Sequence, residues 1–272
     1  MPRTVFNPIG TTALVTGASS GLGVGYAHEL ARRGADLVLT ARRQELLKGL
    51  AAELAEKYGT VSTVIPLDLA GPDAVAGLVA DLETRSITVG TLVNNAGFGT
   101  YGSVIRSDPE REREEVTLNV QALTALTHAL LPGLIRTARA QPGSAALVNL
   151  ASTASFQPAP QMAVYAATKA FVLSYTEALW YETRTTGLKV TAICPGPVST
   201  EFFAVAGRTT SSFRGMLTVG DVMRTSFNAL DRASTPPHSV SGRRNALLAG
   251  VGGRLPHRLV VTLAGRLSRT TA

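Results

Sequence analysis

Six short apolar runs recur along this chain, at residues 11–16, 36–40, 61–67, 91–93, 145–150 and 189–194, and each stops at a polar residue or a glycine. Gly17, Arg42, Asp68, Asn94-Asn95, Ser152 and Pro195-Gly196 follow them in order. Between the runs lie segments of helical periodicity, at 21–33, 44–58, 72–85, 109–139 and 162–185. In 44–58, for example, Leu46, Leu47, Leu50 and Leu54 share one stripe, and Gly59 ends the helix. Strands too continuously apolar to face water, alternating with helices, make a parallel sheet covered on both faces. Right-handed crossovers wind such a sheet in two directions, and ligands bind beyond the carboxyl ends of its strands. Chemistry-bearing residues at that one end of every strand are what such a fold requires.

The first strand runs into Thr16-Gly17-Ala18-Ser19-Ser20-Gly21-Leu22-Gly23. Gly17, Gly21 and Gly23 let the backbone approach a pyrophosphate at the positive end of the following helix; tight-turn glycines are the plainer alternative. This strand–turn–helix makes the expected fold a single-domain Rossmann-type α/β sheet over residues 1–250, followed by a tail, 251–272. The second strand ends in Ala41-Arg42-Arg43, with no carboxylate to grip a ribose 2′-hydroxyl. Arg42 suits a 2′-phosphate instead, which favours NADP(H) over NAD(H). Asp68, with Leu69 beside it, fits either an acceptor for the adenine amino group or a turn residue.

Tyr165 and Lys169 stand four residues apart and so share one helix face. A free phenol titrates near pH ~10, and a neighbouring ammonium is expected to lower that value. Ser152 can donate to an oxygen that gains negative charge, or cap a strand end. Asn119 can hold a water in a proton relay, or bond a neighbouring backbone. A Tyr-x-x-x-Lys pair alone reads as well as a core aromatic.

Taken together, the glycine turn, Asn94-Asn95-Ala96-Gly97, Asn119, Ser152, the Tyr165/Lys169 pair and Pro195-Gly196-Pro197-Val198-Ser199-Thr200 resemble the short-chain dehydrogenase/reductase family, in its shorter single-domain group. They span residues 11–200 in the family's order. The resemblance implies a catalytic Ser152, Tyr165 and Lys169 with Asn119 as the fourth member. It implies an NADP(H) site in which Gly17, Ser19, Ser20, Gly21, Leu22 and Gly23 form the turn. Arg42, Asp68 and Leu69 then hold the adenosine end, and Asn95, Ala96 and Gly97 line its ribose. Pro195, Gly196, Val198 and Thr200 meet the nicotinamide, with Val198 and Thr200 on its carboxamide. Many tetrameric members close their last strand with an Asp-Gly-Gly segment; here Arg243-Arg244-Asn245-Ala246 stands in that region.

The expected function is hydride transfer between nicotinamide C4 and a carbonyl or alcohol carbon, with a non-catalytic NADP(H)-binding scaffold or redox sensor as the alternative. Phe98–Tyr101, Ser155–Val164 and Glu201–Met216 should form the substrate pocket, and Phe156, Met162, Phe202, Phe203 and Phe213 make it apolar and roomy. The single cysteine, Cys194, fits a reducing compartment, and no signal peptide is seen, so a cytoplasmic protein is expected. His28, His128, His238 and His257 lack metal-ligand spacing, so metal-free chemistry is expected. The uncharged stretch from Val116 to Ile135 could span a bilayer by length, but Asn119, Gln121, His128 and Pro132 make it a buried or interface helix.

The net charge of +7 is unevenly placed: residues 207–272 carry ten arginines against Asp221 and Asp231. No nucleic-acid motif accompanies them. Leu255, Leu259, Leu263 and Leu267 among Arg254, Arg258, Arg266 and Arg269 read as a basic amphipathic helix. Its leucine face is expected to pack on the domain or on a second subunit of a dimer or tetramer, with weak contact to a membrane surface as the other reading.

Overall fold

The computed structural model describes residues 5–207, 215–252 and 256–269. Its strands are β1 (Thr12–Thr16), β2 (Asp36–Ala41), β3 (Ser62–Pro66), β4 (Val89–Asn94), β5 (Ala146–Leu150), β6 (Lys189–Cys194) and β7 (His238–Val240). They form one parallel seven-stranded sheet in the order β3-β2-β1-β4-β5-β6-β7. The chain moves outward from β1 to β3, then crosses to β4 and moves outward the other way. The switch point therefore lies between β1 and β4, where a crevice opens at the strands' carboxyl ends.

Helices cover both faces: α1 (Gly21–Arg32), α2 (Gln44–Tyr58), α3 (Ala74–Thr84), α4 (Pro109–Val116), α5 (Leu123–Ala140), α6 (Ala163–Thr183) and α8 (Val219–Leu230), with a single turn, α7 (Phe202–Val205). Successive strand residues point to opposite sides, which divides the core in two. Ala13, Val15, Leu37, Leu39, Ala146 and Val148 pack with Tyr26 and Leu30 of α1, Leu47, Leu50 and Leu54 of α2, and Val222 and Phe227 of α8. Leu14, Val38, Leu92 and Leu147 pack on the other side with Leu78 and Leu82 of α3, Leu126 and Leu134 of α5, and Leu179 of α6. Cys194 is fully buried at the end of β6.

The helical run from 109 to 140 is long and apolar enough to cross a membrane by length and composition. It lies along the sheet, with Leu123, Leu126 and Leu134 buried. Its middle, Thr117–Ala122, winds as a π-helix, a feature the sequence periodicity did not reveal.

Several expectations are corrected. The helix placed from Pro72 begins at Ala74, because Asp73 adopts a left-handed backbone (φ 56°) ahead of it. Asn94 is not at the crevice but inside β4, donating to Asn149 Oδ1 and Thr127 Oγ1 at 2.9 Å. α8 and β7 were not foreseen. α8 carries a capping box between Thr218 and Asp221, a readable signal. β7 has three residues and follows the Pro236-Pro237 loop, too short for periodicity.

The C-terminal part forms α9 (Arg243–Gly252) and α10 (His257–Arg269). The described leucines of α10 are not what packs on the domain. Among its described side chains Val260 is the buried one, while Leu259 and Leu263 stay 47% and 45% exposed. Gly265 lies against Pro160 instead, where an added Cβ would sit 3.5 Å from the ring. Arg254, Leu255 and Phe213 lie outside the described residues, as do the side chains of Leu267 and Arg269.

Candidate active site

A cavity of about 490 Å³ opens at the carboxyl ends of the strands. Of the catalytic and cofactor-binding residues expected, all but Gly23 and Asn119 line it, whereas of segments 98–101 and 155–164 only Phe98 and Met162 do. Gly17 and Gly21 have positive φ (66° and 54°), the region glycine tolerates best. A Cβ on Gly17 would come within 2.9 Å of Ala96 Cα. Gly23 acts from beneath: a Cβ there would stand 2.2 Å from the Gly17 carbonyl oxygen, so only glycine lets α1 start this close to the turn.

Asn95 braces the turn from β4. Its Nδ2 donates to the carbonyls of Thr16 (2.8 Å) and Gly17 (3.2 Å), while Thr16 Oγ1 accepts from the Asn95 and Ala96 amides. At the N-terminus of α1, Ser20 makes no side-chain cap bond and the first turn holds no acidic residue. The first-turn amides and the helix dipole are thus open to an anion, and the cradle fits the pyrophosphate of a dinucleotide.

At the β2 end, the Arg42 side chain is 69% exposed and lies 3.8 Å from Asp68, whose Oδ1 also accepts from Ala70 N. Arg43, to which the sequence assigned no role of its own, reaches across the mouth of the cavity. It donates to Ser19 and makes a 2.9 Å ion pair with Glu201, holding that carboxyl below its ordinary range. Nothing local in the sequence links Arg43 to a residue 158 positions away.

Ser152, Tyr165 and Lys169 line the same cavity deeper in. Ser152 lies two residues past the end of β5 and caps a short helical turn, its Oγ accepting from Ala154 N at 3.1 Å. Tyr165 and Lys169 project from the first turns of α6. Lys169 Nζ donates to the Leu150 carbonyl at 2.7 Å and lies 5.8 Å from the centroid of the Tyr165 ring. The electrostatics differ from the expectation. Burial pushes the Tyr165 phenol up to about 12, with the Ser152 hydroxyl pulling the other way, so the ammonium does not lower it below its ordinary value. Burial also pulls Lys169 down to about 8, opposed by the Glu115 carboxylate.

Asn119 sits in the π-helical turn behind the cavity wall. Its side chain is fully engaged: Oδ1 accepts from Phe98 N (3.2 Å), and Nδ2 donates to the Phe98 carbonyl (2.8 Å) and Thr168 Oγ1 (3.1 Å). The backbone-bonding alternative therefore describes that side chain.

The substrate end is apolar, lined by Phe98, Leu118, Met162, Phe202, Phe203 and Val205. Phe202 packs tilted against the Tyr165 ring, their centroids 5.2 Å apart. Phe156, expected in this wall, turns away and packs edge-on against His238 at 5.6 Å. His238 in turn pairs with Glu177 at 2.6 Å, a surface tie between β7 and α6.

A doubly wound sheet with this crevice and glycine cradle defines a dinucleotide-binding scaffold, and comparison with known proteins makes the class definite. The short chain dehydrogenase family matches residues 11–210, and the chain belongs to that family. It is similar to sulfoacetaldehyde reductase 2 of Chromohalobacter salexigens, 38% identical over 193 residues, 71% of this chain and 74% of the relative. Among solved structures, a short-chain dehydrogenase from Sphingobium yanoikuyae in complex with NADPH is 33% identical, covers 89% of this chain and 93% of its own, and superposes with a TM-score of 0.79. A bulky-bulky ketone specific alcohol dehydrogenase from Comamonas testosteroni is 30% identical, covers 90% and 93%, and gives 0.74.

Proposed function

We propose that this chain is an NADP(H)-dependent reductase of bulky apolar ketones, running in reverse as a dehydrogenase of the corresponding alcohols. When bound, the nicotinamide supplies or accepts the hydride at C4. The chain's own residues manage charge and protons. Ser152 donates a hydrogen bond to the carbonyl oxygen as negative charge builds on it. Tyr165, whose pKa of about 12 keeps it protonated at neutral pH, delivers the proton to that oxygen. Lys169 brings positive charge beside the phenol, stabilising the phenolate left behind. A phenol held protonated is an acid, which favours reduction near neutrality and leaves oxidation to high pH.

The observation that carries this reading is the presence of Ser152, Tyr165 and Lys169 on the wall of the cavity that also holds the glycine cradle. Arg42 supports the 2′-phosphate. The choice of a bulky apolar ketone rests on the lining: its described cations are Arg42, Arg43 and Lys169, the last two engaged with Glu201 and the Leu150 carbonyl. A small sulfonated aldehyde would find aromatic rings beside Tyr165 instead of a cation.

Following reduced-cofactor absorbance across a panel of ketones tests all of this. Turnover with NADPH is expected to exceed that with NADH. Y165F should lose about a hundredfold or more in turnover, and R42A should raise the NADPH KM about tenfold while sparing NADH. Near-normal turnover by Y165F ends the proposal. No turnover of any ketone by the parent chain would return the scaffold or sensor reading.

We further propose a cytoplasmic homo-oligomer whose C-terminal helices make weak contact with a membrane surface. Exposed Leu247, Leu248, Leu259 and Leu263 beside the arginines of this region support the oligomer and membrane contacts, and the single buried Cys194 fits the reducing compartment.

A further inference from the structure

Outside the residues already assigned, one ionisable group stands out by its position. Glu115, near the end of α4, is fully buried (0% exposed) behind the wall of the active site. Its Oε2 accepts from both the Thr100 amide (3.0 Å) and the Thr100 hydroxyl (2.7 Å), and its Oε1 is buried with no partner. A leucine would fill this space without the cost of burying a carboxylate. What a leucine cannot do is accept both hydrogens of Thr100.

Glu115 does not act alone. Arg111, Glu115 and Asn119 recur at four-residue spacing along one helix face. Arg111 lays its guanidinium 4.0 Å from the Phe98 ring centroid, and Asn119 takes both backbone groups of Phe98. The three side chains grip residues 97–100 from outside. On the inner side the same segment meets the reacting groups. A Cβ on Gly99 would stand 2.9 Å from Tyr165 Cδ2 and 3.0 Å from Phe202 Cζ. A Cβ on Gly97 would stand 3.5 Å from Lys169 Nζ. The backbone of 97–100 is the surface on which the phenol ring is seated.

We propose that Glu115 is a positioning residue for the reduction: by holding Thr100 it fixes the Gly97–Thr100 segment against the Tyr165 ring and so sets the direction of the phenol oxygen. The inference rests on the reading of Tyr165 as the proton donor. Its carboxylate is also a charge near the reacting pair. It raises the pKa of both Tyr165 and Lys169 across the interface with α6. The charged groups that act on it in turn are Lys169, across that interface, and Glu112, along α4.

Two substitutions in the full chain separate grip from charge. E115L fills the space and loses both; its kcat for ketone reduction is expected to fall about tenfold or more, because small displacements of a reacting group are costly. The dissociation constant for NADPH should change by less than about threefold, since the cradle is held from β4 by Asn95. E115Q keeps a carbonyl acceptor for Thr100 but carries no charge. It should recover most of the lost kcat near pH 6.5, with the basic limb of its pH profile moved down. T100V, which removes one of the two bonds to Glu115, is the variant to use if E115L does not fold, and must lower kcat in the same sense. Turnover by E115L, or by T100V in its place, within about twofold of the parent overturns the proposal. Y165F run alongside keeps the questions apart. An active Y165F defeats the proton-donor reading itself; an inactive Y165F beside a fully active E115L defeats only the role of Glu115.

Discussion

Lys169 shows what a single buried residue does to stability. Burial lowers its pKa from 10.5 to about 8. Between those two values the unfolded chain holds a proton that the folded chain has released, so the penalty is constant below pH 8 and fades as pH rises to 10.5. That displacement corresponds to about 3 kcal/mol. K169M removes it but leaves the Leu150 carbonyl without its donor, so a net gain of about 1–2 kcal/mol at pH 7 is expected. Denaturant titrations of both proteins at pH 7 and 10.5 measure this; a K169M protein less stable than its parent at pH 7 contradicts the account. Its turnover should fall with the same substitution. Reduction by the parent should likewise decline as pH rises through about 8, where the ammonium beside Tyr165 is lost.

Elements reveal a different dependence, on close approach of backbone. The start of α1 is possible only because Gly23 has no side chain, whereas Gly49, in α2, has nothing within 4 Å of its missing Cβ. G23A should therefore destabilise by about 1–3 kcal/mol and weaken NADPH binding, because α1 must withdraw from the turn. G49A should stabilise by about 0.5–1 kcal/mol, since alanine is the better helix residue. Thermal melts and a fluorescence titration with NADPH decide both, and equal melting shifts would refute the distinction. The same contrast explains what could be read from the chain. Gly17, Gly21, Tyr165 and Lys169 were legible because their meaning lies in short local spacings. Arg43 was not, because its partner Glu201 belongs to a distant loop. Glu115 sat in a run of charges, Glu110 to Glu115, that reads as a solvated face; its four-residue offset from Asn119 was the usable signal. The π-helical turn at Thr117–Ala122 and the three-residue β7 carry no periodicity of their own.

Across the whole molecule, the two-sided core around the sheet was fixed by strand alternation and foreseen in outline, while the C-terminal helices followed their own logic. Val260 and Gly265 dock α10 on the domain, while Leu259 and Leu263, two of the leucines expected to do so, stay exposed. An apolar ridge beside arginines fits the proposed contact with anionic lipid or with a second copy of the chain. Flotation with anionic vesicles, with and without residues 254–272, together with sedimentation of both proteins, separates these outcomes. Loss of flotation on truncation is expected; equal flotation dismisses the membrane contact.

The buried thiol at the end of β6 has a practical corollary. With burial raising Cys194 to about 12, the folded protein offers alkylating reagents no reactive sulfur. Labelling kinetics then count opening events in the sheet, and a second cysteine placed on any exposed loop becomes a unique attachment point for a dye or spin probe.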